Sequence, residues 1–359
     1  FSSCSMGSTF TRLVPFAVRP ASGIWKPFFE NFKQIEMLSL SEDSKEEQRN
    51  EISHSSYISS NSFFVSLTKY KGDCFLATDY TNIYKIYKDS WEYLPLESPQ
   101  GYVLWPEVQE EKESFAWNPT GICYDDENDL IYIANYNGHN ILVARLEEND
   151  NLTIVDEFVC DGLISPENVA VSKDGSKIAV ADYDGNALFL FDKDGDLIWK
   201  RTVGLAHGVA MDDSYVYGTG LEERKIIKFD FDGNLIGETG VIGLEGQNSY
   251  LWPTFIENCE DKLLVTDAHT GRISLLDKEL NFISSIGGLG PSVNTLNFPY
   301  CTIEEDGFLY TTDTFNRRIL KLSMDGKLIN SAGLFESEDM PEDVLISSFG
   351  RGGGILMAS

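Results

Sequence analysis

One feature dominates this chain: a motif that returns every 40–47 residues. Five copies align directly. They are 119-PTGICYDDENDLIYIANYNGHNILVARL, 166-PENVAVSKDGSKIAVADYDGNALFLFD, 206-AHGVAMDDSYVYGTGLEERKIIKFD, 253-PTFIENCEDKLLVTDAHTGRISLLD and 299-PYCTIEEDGFLYTTDTFNRRILKLS. A more divergent copy, 63-FFVSLTKYKGDCFLATDYTNIYKIYKDS, precedes them and makes six. The five aligned copies open on Pro, or on Ala206 in the third, and run into a short apolar strand. A polar turn such as Lys173-Asp174-Gly175 or Glu305-Asp306-Gly307 follows. The second strand ends at Asp79, Asn135, Asp182, Asp267 or Asp313. A third, alternating strand leads through Asp194-Gly195, Asp232-Gly233 or Asp325-Gly326 to a fourth. Asp-Gly between alternating apolar runs marks a tight hairpin, because that turn needs positive φ.

Four antiparallel strands per unit, repeated six times, predict an all-β fold: a six-bladed β-propeller of four-stranded antiparallel blades. A lone blade cannot bury both of its faces. Stacked radially, each twisted sheet covers its neighbour. The expected organisation is an N-terminal extension over 1–60, the propeller over 61–335 and a C-terminal tail over 336–359. The sixth unit already supplies four strands of its own, so blade one is expected to close on blade six without a swapped strand. Residues 1–55 and 340–359 would then be accessory. In the alternative, Val344-Leu345-Ile346-Ser347 or a segment near Tyr57 latches the ring.

The units resemble NHL repeats, whose second strand and following loop end in a pattern like ADxxNxRI. Asp313-Thr314-Phe315-Asn316-Arg317-Arg318-Ile319 matches best. Asp267 with Arg272-Ile273 and Asp182-Tyr183-Asp184-Gly185-Asn186 match in part. The resemblance spans roughly 63–333. It implies a repeat-protein scaffold that binds proteins, peptides or nucleic acid, and occasionally catalyses. Fold by itself does not imply function.

Net charge narrows the partners. The chain carries −29, with 28 Lys and Arg against 57 Asp and Glu. Residues 1–29 hold Arg12, Arg19 and Lys26 and no acid, so the remaining 330 residues carry −32. So acidic a surface repels phosphate backbones, which argues against nucleic acid. No apolar run reaches the ~20 residues that span a bilayer, so the reading is a soluble body.

Outside the ring, residues 30–40 could form one short helix. Phe1-Ser2-Ser3-Cys4 resembles the end of a lipoprotein signal with Cys4 lipidated, so an extracytoplasmic location is preferred to a cytoplasmic one; a transit peptide or an ordinary tail is the alternative. Gly350-Arg351-Gly352-Gly353-Gly354 lacks the Lys-Ser/Thr of a phosphate loop and reads as a tail. Cys74, Cys123, Cys160 and Cys301 fall in predicted strands as small buried apolar residues. Together with Cys4 and Cys259 they form no CxxC pair and no zinc spacing.

The residue after each opening Pro or Ala should line the mouth of the central channel: Thr120, Glu167, His207, Thr254 and Tyr300. With Trp252, these are the ligand-binding candidates. His207 and Glu167 are the metal candidates, for a divalent cation such as Ca or Zn. His139 and His269 fall in loops of the same face, so three of the four histidines share one side. A three-histidine metal site would resemble the peptidyl-hydroxyglycine lyase branch, in which the histidines come from equivalent blade positions; here only His207 does. The strand-end Asp residues read as Asx-type loop ties. Asp182–Asn186 lacks the ligands of a calcium loop. No G-x-S-x-G elbow exists and no carboxylate pair stands out. Trp105, Trp117, Tyr136, Tyr183, Trp252 and Tyr300 lie near the same face, as wedges between blades or as a rim for a peptide or sugar. The expected function is a binding scaffold for a protein, peptide or small polar ligand. The alternative is a metal-dependent lyase or hydrolase, lactonase-like or peptidyl-hydroxyglycine-lyase-like, at the channel mouth.

Overall fold

A computed structural model describes residues 63–104, 115–244, 246–288 and 295–333, with 346–347 and 356–357. Cys4, residues 30–40, Tyr57, Trp105, Val344, Leu345 and Gly350–Gly354 lie outside these described residues. The described residues from 63 to 333 belong to one compact unit, and 346–347 with 356–357 belong to a second. Ile346–Ser347 pairs antiparallel with Leu356–Met357.

The larger unit is the expected six-bladed propeller, and every blade is a four-stranded antiparallel sheet. The first strands are Ser66–Tyr70, Pro119–Asp125, Pro166–Val171, Ala206–Met211, Pro253–Cys259 and Pro299–Glu305. The second strands are the most buried, as in Cys74–Thr78, where all five residues are buried. They are covered by a blade on each side, so they read as continuous apolar runs. The fourth strands face solvent and leave Leu197, Ile198, Leu235, Ile236, Ile283 and Ile329 exposed. Cys74, Cys123 and Cys301 lie in strands as expected. Cys160 does not: its strand ends at Phe158, and the Cys160 carbonyl instead accepts from the Leu163 amide in a turn.

Each junction between neighbouring blades has its own apolar cluster, so the core is six wedges rather than one centre. Closure follows the same rule. Phe64, Leu67, Phe75 and Ile86 of blade one pack with Cys301, Ile303, Tyr310 and Ile319 of blade six. The Phe75 and Tyr310 rings lie 4.6 Å apart. Polar contacts secure the seam. Thr314 Oγ1 donates to the Phe64 carbonyl at 2.7 Å across 250 residues of sequence. Lys88 Nζ reaches Glu305 Oε1 at 2.7 Å. Both seam blades are built from their own contiguous strands, Ser66–Leu96 and Pro299–Gly333, with no exchange among the described residues.

The motif DxxNxRI has a physical purpose here. Asp313 Oδ2 accepts from Asn316 Nδ2 at 2.8 Å and from Arg318 Nε at 2.7 Å. These bonds hold the turn Thr314–Asn316, and Arg317 leaves it in the left-handed region with φ 52°.

The Thr314 bond is buried, so its loss strands the Phe64 carbonyl. Thr314→Val should cost about 1–2 kcal/mol. The checking measurement is the urea midpoint, with the exposed-strand variant Thr153→Val as control. A midpoint equal to the control would show that closure does not lean on this bond.

Candidate functional site at the channel mouth

The opening residues owe their placement to backbone irregularity. Five first strands break register at their start: between Pro119 and Ile122, Pro166 and Asn168, Ala206 and Val209, Pro253 and Phe255, and Pro299 and Thr302. These bulges fall on Thr120, Glu167, His207, Thr254 and Tyr300. A bulge places an unpaired residue on one strand and re-aims its side chain. Two glycines keep the bulges close. A Cβ on Gly121 would lie 2.6 Å from the Asn168 Cα, and one on Gly208 would lie 2.8 Å from the Phe255 Cα.

The strand-end acids brace this arrangement. Asp267 Oδ1 accepts from the amides of Trp252, His269 and Thr270, and its Oδ2 accepts from Leu251. Asp182 accepts from the amides of Ile164, Ser165 and Gly185. Each acid therefore ties the chain entering its blade to the loop after its second strand. Burial pushes the carboxyls of Asp182, Asp267 and Asp313 up, and the hydrogen bonds they accept oppose the shift. This bears out the reading of these acids as loop ties.

Of the five predicted channel residues, three meet and two do not. Thr120 Oγ1 donates to its own blade's Ala134 carbonyl or to the Pro166 carbonyl of the next, both at 3.0 Å. Thr254 Oγ1 likewise bridges to the Tyr300 carbonyl at 2.8 Å. These threonines rivet neighbouring blades. Glu167, His207 and Tyr300 instead converge from blades three, four and six. The Tyr300 hydroxyl lies 3.0 Å from Glu167 Oε1 and 2.8 Å from His207 Nε2. His207 Nε2 and Glu167 Oε1 are 3.6 Å apart. All three residues are buried, at 3%, 2% and 5% exposure for Glu167, His207 and Tyr300.

A fourth member, Tyr80, was not among the sequence candidates. Its hydroxyl lies 2.8 Å from that of Tyr300. The sequence did contain a signal. Tyr80, Tyr136 and Tyr183 each follow a strand-end Asp79, Asn135 or Asp182, so blades one to three place a Tyr at one equivalent position.

The chemistry follows from counting protons. His207 Nδ1 lies 2.8 Å from the Thr254 carbonyl, which only accepts, so Nδ1 carries hydrogen. Neutral His207 then presents a lone pair at Nε2. Tyr300 has one proton for two acceptors, Nε2 and Oε1. All three contacts are hydrogen bonds at once only when the set holds one further proton, on His207 or on Glu167. The arrangement can therefore take up and release a proton between imidazole and carboxylate through a phenol.

Aromatic rings surround this group. Trp252 stacks on His269 at 5.0 Å, His269 lies 5.3 Å from Phe298, and Phe298 stacks on Phe315 at 4.4 Å. Tyr183 meets the His207 ring edge-on at 5.8 Å. Trp252 is thus a buried wall, and Tyr136 donates to Asp184 Oδ2 at 2.7 Å. Trp117 packs between blades one and two and donates from its indole nitrogen to the Thr81 carbonyl.

The three histidines do not gather. His139 is exposed and its Nδ1 contacts the Ile164 carbonyl, while His269 belongs to the aromatic stack. Among the described residues, no group of three His, Cys, Asp or Glu side chains could hold a metal ion. Glu167 and His207 supply two donors. Catalytic zinc takes three protein ligands and calcium six to eight oxygens, so the side chains at the mouth do not fit either ion. A groove of about 600 Å³ lies elsewhere, lined by Glu127, Lys173, Asp174, Lys177, Asp213 and Phe231 at turns that join first to second and third to fourth strands, on the opposite face.

Residues 28–196, just under half the chain, match the family model of Arylesterase. Three solved structures share the fold. One, from a crystal structure of a nidogen/laminin complex, is 16% identical with a TM-score of 0.55, covering 73% of this chain and 94% of that one. A streptogramin B lyase is 12% identical with a TM-score of 0.52, covering 77% and 84%. Virginiamycin B lyase from Staphylococcus aureus is 13% identical with a TM-score of 0.53, covering 79% and 88%. At these identities the likeness is one of fold. The resemblance to NHL repeats rests on the motifs alone. No helix among the described residues is long and apolar enough to cross a membrane.

Burial holds the His269 imidazole down to about 4, and the Arg224 guanidinium adds to the effect. Between that value and the ordinary 6.5, the unfolded chain binds more protons than the folded one. Stability contributed by neutral His269 is therefore present above about 6.5 and lost as the pH falls to about 4. Replacing it by Gln should flatten the dependence of Tm on pH in that window. An unchanged slope would show that His269 is not buried in the stack.

Proposed function

We propose that the protein hydrolyses a small ester at the mouth of its channel, with His207 as base, Tyr300 as relay and Glu167 as counter-charge. The observation that carries this reading is the convergence of an imidazole, a carboxylate and a phenol from three blades within 3.6 Å. The Arylesterase match supports it, although His207 and Tyr300 lie beyond the matched residues 28–196. The aromatic walls suit a ligand with a flat apolar part beside its polar group.

In this scheme, neutral His207 takes a proton from the attacking water by way of Tyr300. A C–O bond forms to the ester carbonyl, and the imidazolium is stabilised by Glu167. As the tetrahedral intermediate collapses, the ester C–O bond breaks and the proton returns to the leaving oxygen. Protons balance over the cycle and no metal is needed. Positioned general bases of this kind contribute about 10²–10⁴-fold.

A second reading has its own support. Glu167, His207 and Tyr300 are all buried, and the connection from blade four to blade five leaves Val241, Ile242 and Leu244 exposed. That surface suits recognition of a protein or peptide without catalysis, and the nidogen/laminin structure shows this fold in a protein complex.

A panel of aryl esters, alkyl esters and lactones assayed with the full chain separates the two. Hydrolysis is expected, and His207→Gln should lower kcat/KM by about 10²-fold or more while retaining the β-sheet circular dichroism. A folded wild type that turns over none of the panel, or a His207→Gln variant that loses nothing, would favour the recognition reading.

A further inference from the structure

Tyr80 is the half-buried member of a network whose other three residues are buried. Its backbone is held in the left-handed region, with φ 71°. For a bulky residue this conformation is costly and needs external support. The support is visible. Asp79 Oδ1 accepts from the Thr81 and Asn82 amides at 3.0 and 2.8 Å, and Asn118 Nδ2 donates to the Tyr80 carbonyl at 2.5 Å. The Tyr80 ring meets Tyr300 edge-on at 6.4 Å, with the two hydroxyls 2.8 Å apart. Two neighbouring loops thus hold a strained backbone that sets the least buried member of the network against the Tyr300 hydroxyl.

We propose that Tyr80 is the mouth-facing end of the proton relay, resting on the hydrolase reading above. On attack, the water proton passes to the Tyr80 oxygen, the Tyr80 proton to Tyr300, and the Tyr300 proton to His207 Nε2. On collapse, the same three transfers run backwards and the last proton goes to the leaving oxygen. Each phenol ends the cycle as it began. The ligand then needs to reach only Tyr80, which explains how buried His207 and Tyr300 act on a substrate outside them.

The test uses the full chain. Tyr80→Phe keeps the ring and removes the hydroxyl. It should lower kcat about 10²-fold, leave KM within about threefold, and remove the pH-dependent limb that His207 imposes. Because Tyr80 and Tyr300 act in series, the double variant Tyr80→Phe/Tyr300→Phe should be no slower than the worse single one. In mixtures of H₂O and D₂O, the wild-type rate should fall along a curve that reports several protons in flight. Full kcat and an unchanged pH profile in Tyr80→Phe, with His207→Gln inactive, would overturn the role of Tyr80 while leaving the hydrolase reading intact. Should Tyr80→Phe not fold, a straight-line isotope dependence in the wild type would overturn it equally. A wild type inactive on every ester would remove both.

Discussion

The constraint on which this structure depends is the pairing of each blade's opening residue with the end of its second strand. Pro119 lies opposite Asn135, Pro166 opposite Asp182, Pro253 opposite Asp267 and Pro299 opposite Asp313. Proline has no N–H to donate, so the ladder there is incomplete. The acid or amide takes its hydrogen bonds from the preceding loop instead. With the loop anchored and the next ladder bond displaced, the strand bulges. Anchoring and bulging are consequences of one local arrangement that recurs in four of the six blades.

Blade four departs from it and carries the histidine. Its opening residue is Ala206, paired with Gly220 rather than an acid. Leu205, in the left-handed region with φ 48°, donates its amide to Asn186 Oδ1 of blade three, and Thr219 Oγ1 accepts from the Gly208 amide. His207 is therefore placed by its neighbours as much as by its own repeat. Putting an imidazole and a carboxylate in a buried channel is costly unless each finds partners. Here the Thr254 carbonyl and the Tyr300 hydroxyl provide them from two further blades, and Tyr80 joins from another through Tyr300, so the polar group belongs to the closed ring and to no single blade.

Much of this was readable from the chain because repetition averages away local ambiguity. Glu167, His207 and Tyr300, which meet in the structure, share one position in the repeat, directly after the opening Pro or Ala. Thr120 and Thr254 occupy the same position, yet their short side chains reach only the neighbouring backbone. Tyr80 escaped notice because blade one is the divergent copy, and because the positive φ that aims its phenol leaves no mark in residue type. The approach of His269 to Trp252 and Phe298 likewise depends on how blades five and six pack.

The sequence alone determined the number of blades, their four-stranded composition and the strand-end ties. These follow from short-range preferences, with two-residue alternation and Asp-Gly turns acting within a few positions of themselves. Tertiary structure alone decided which side chains meet. Tyr300 lies 93 residues from His207, 133 from Glu167 and 220 from Tyr80, and nothing local links them. Their contact exists because six blades of fixed width close on a channel narrow enough for one tyrosine to reach across it.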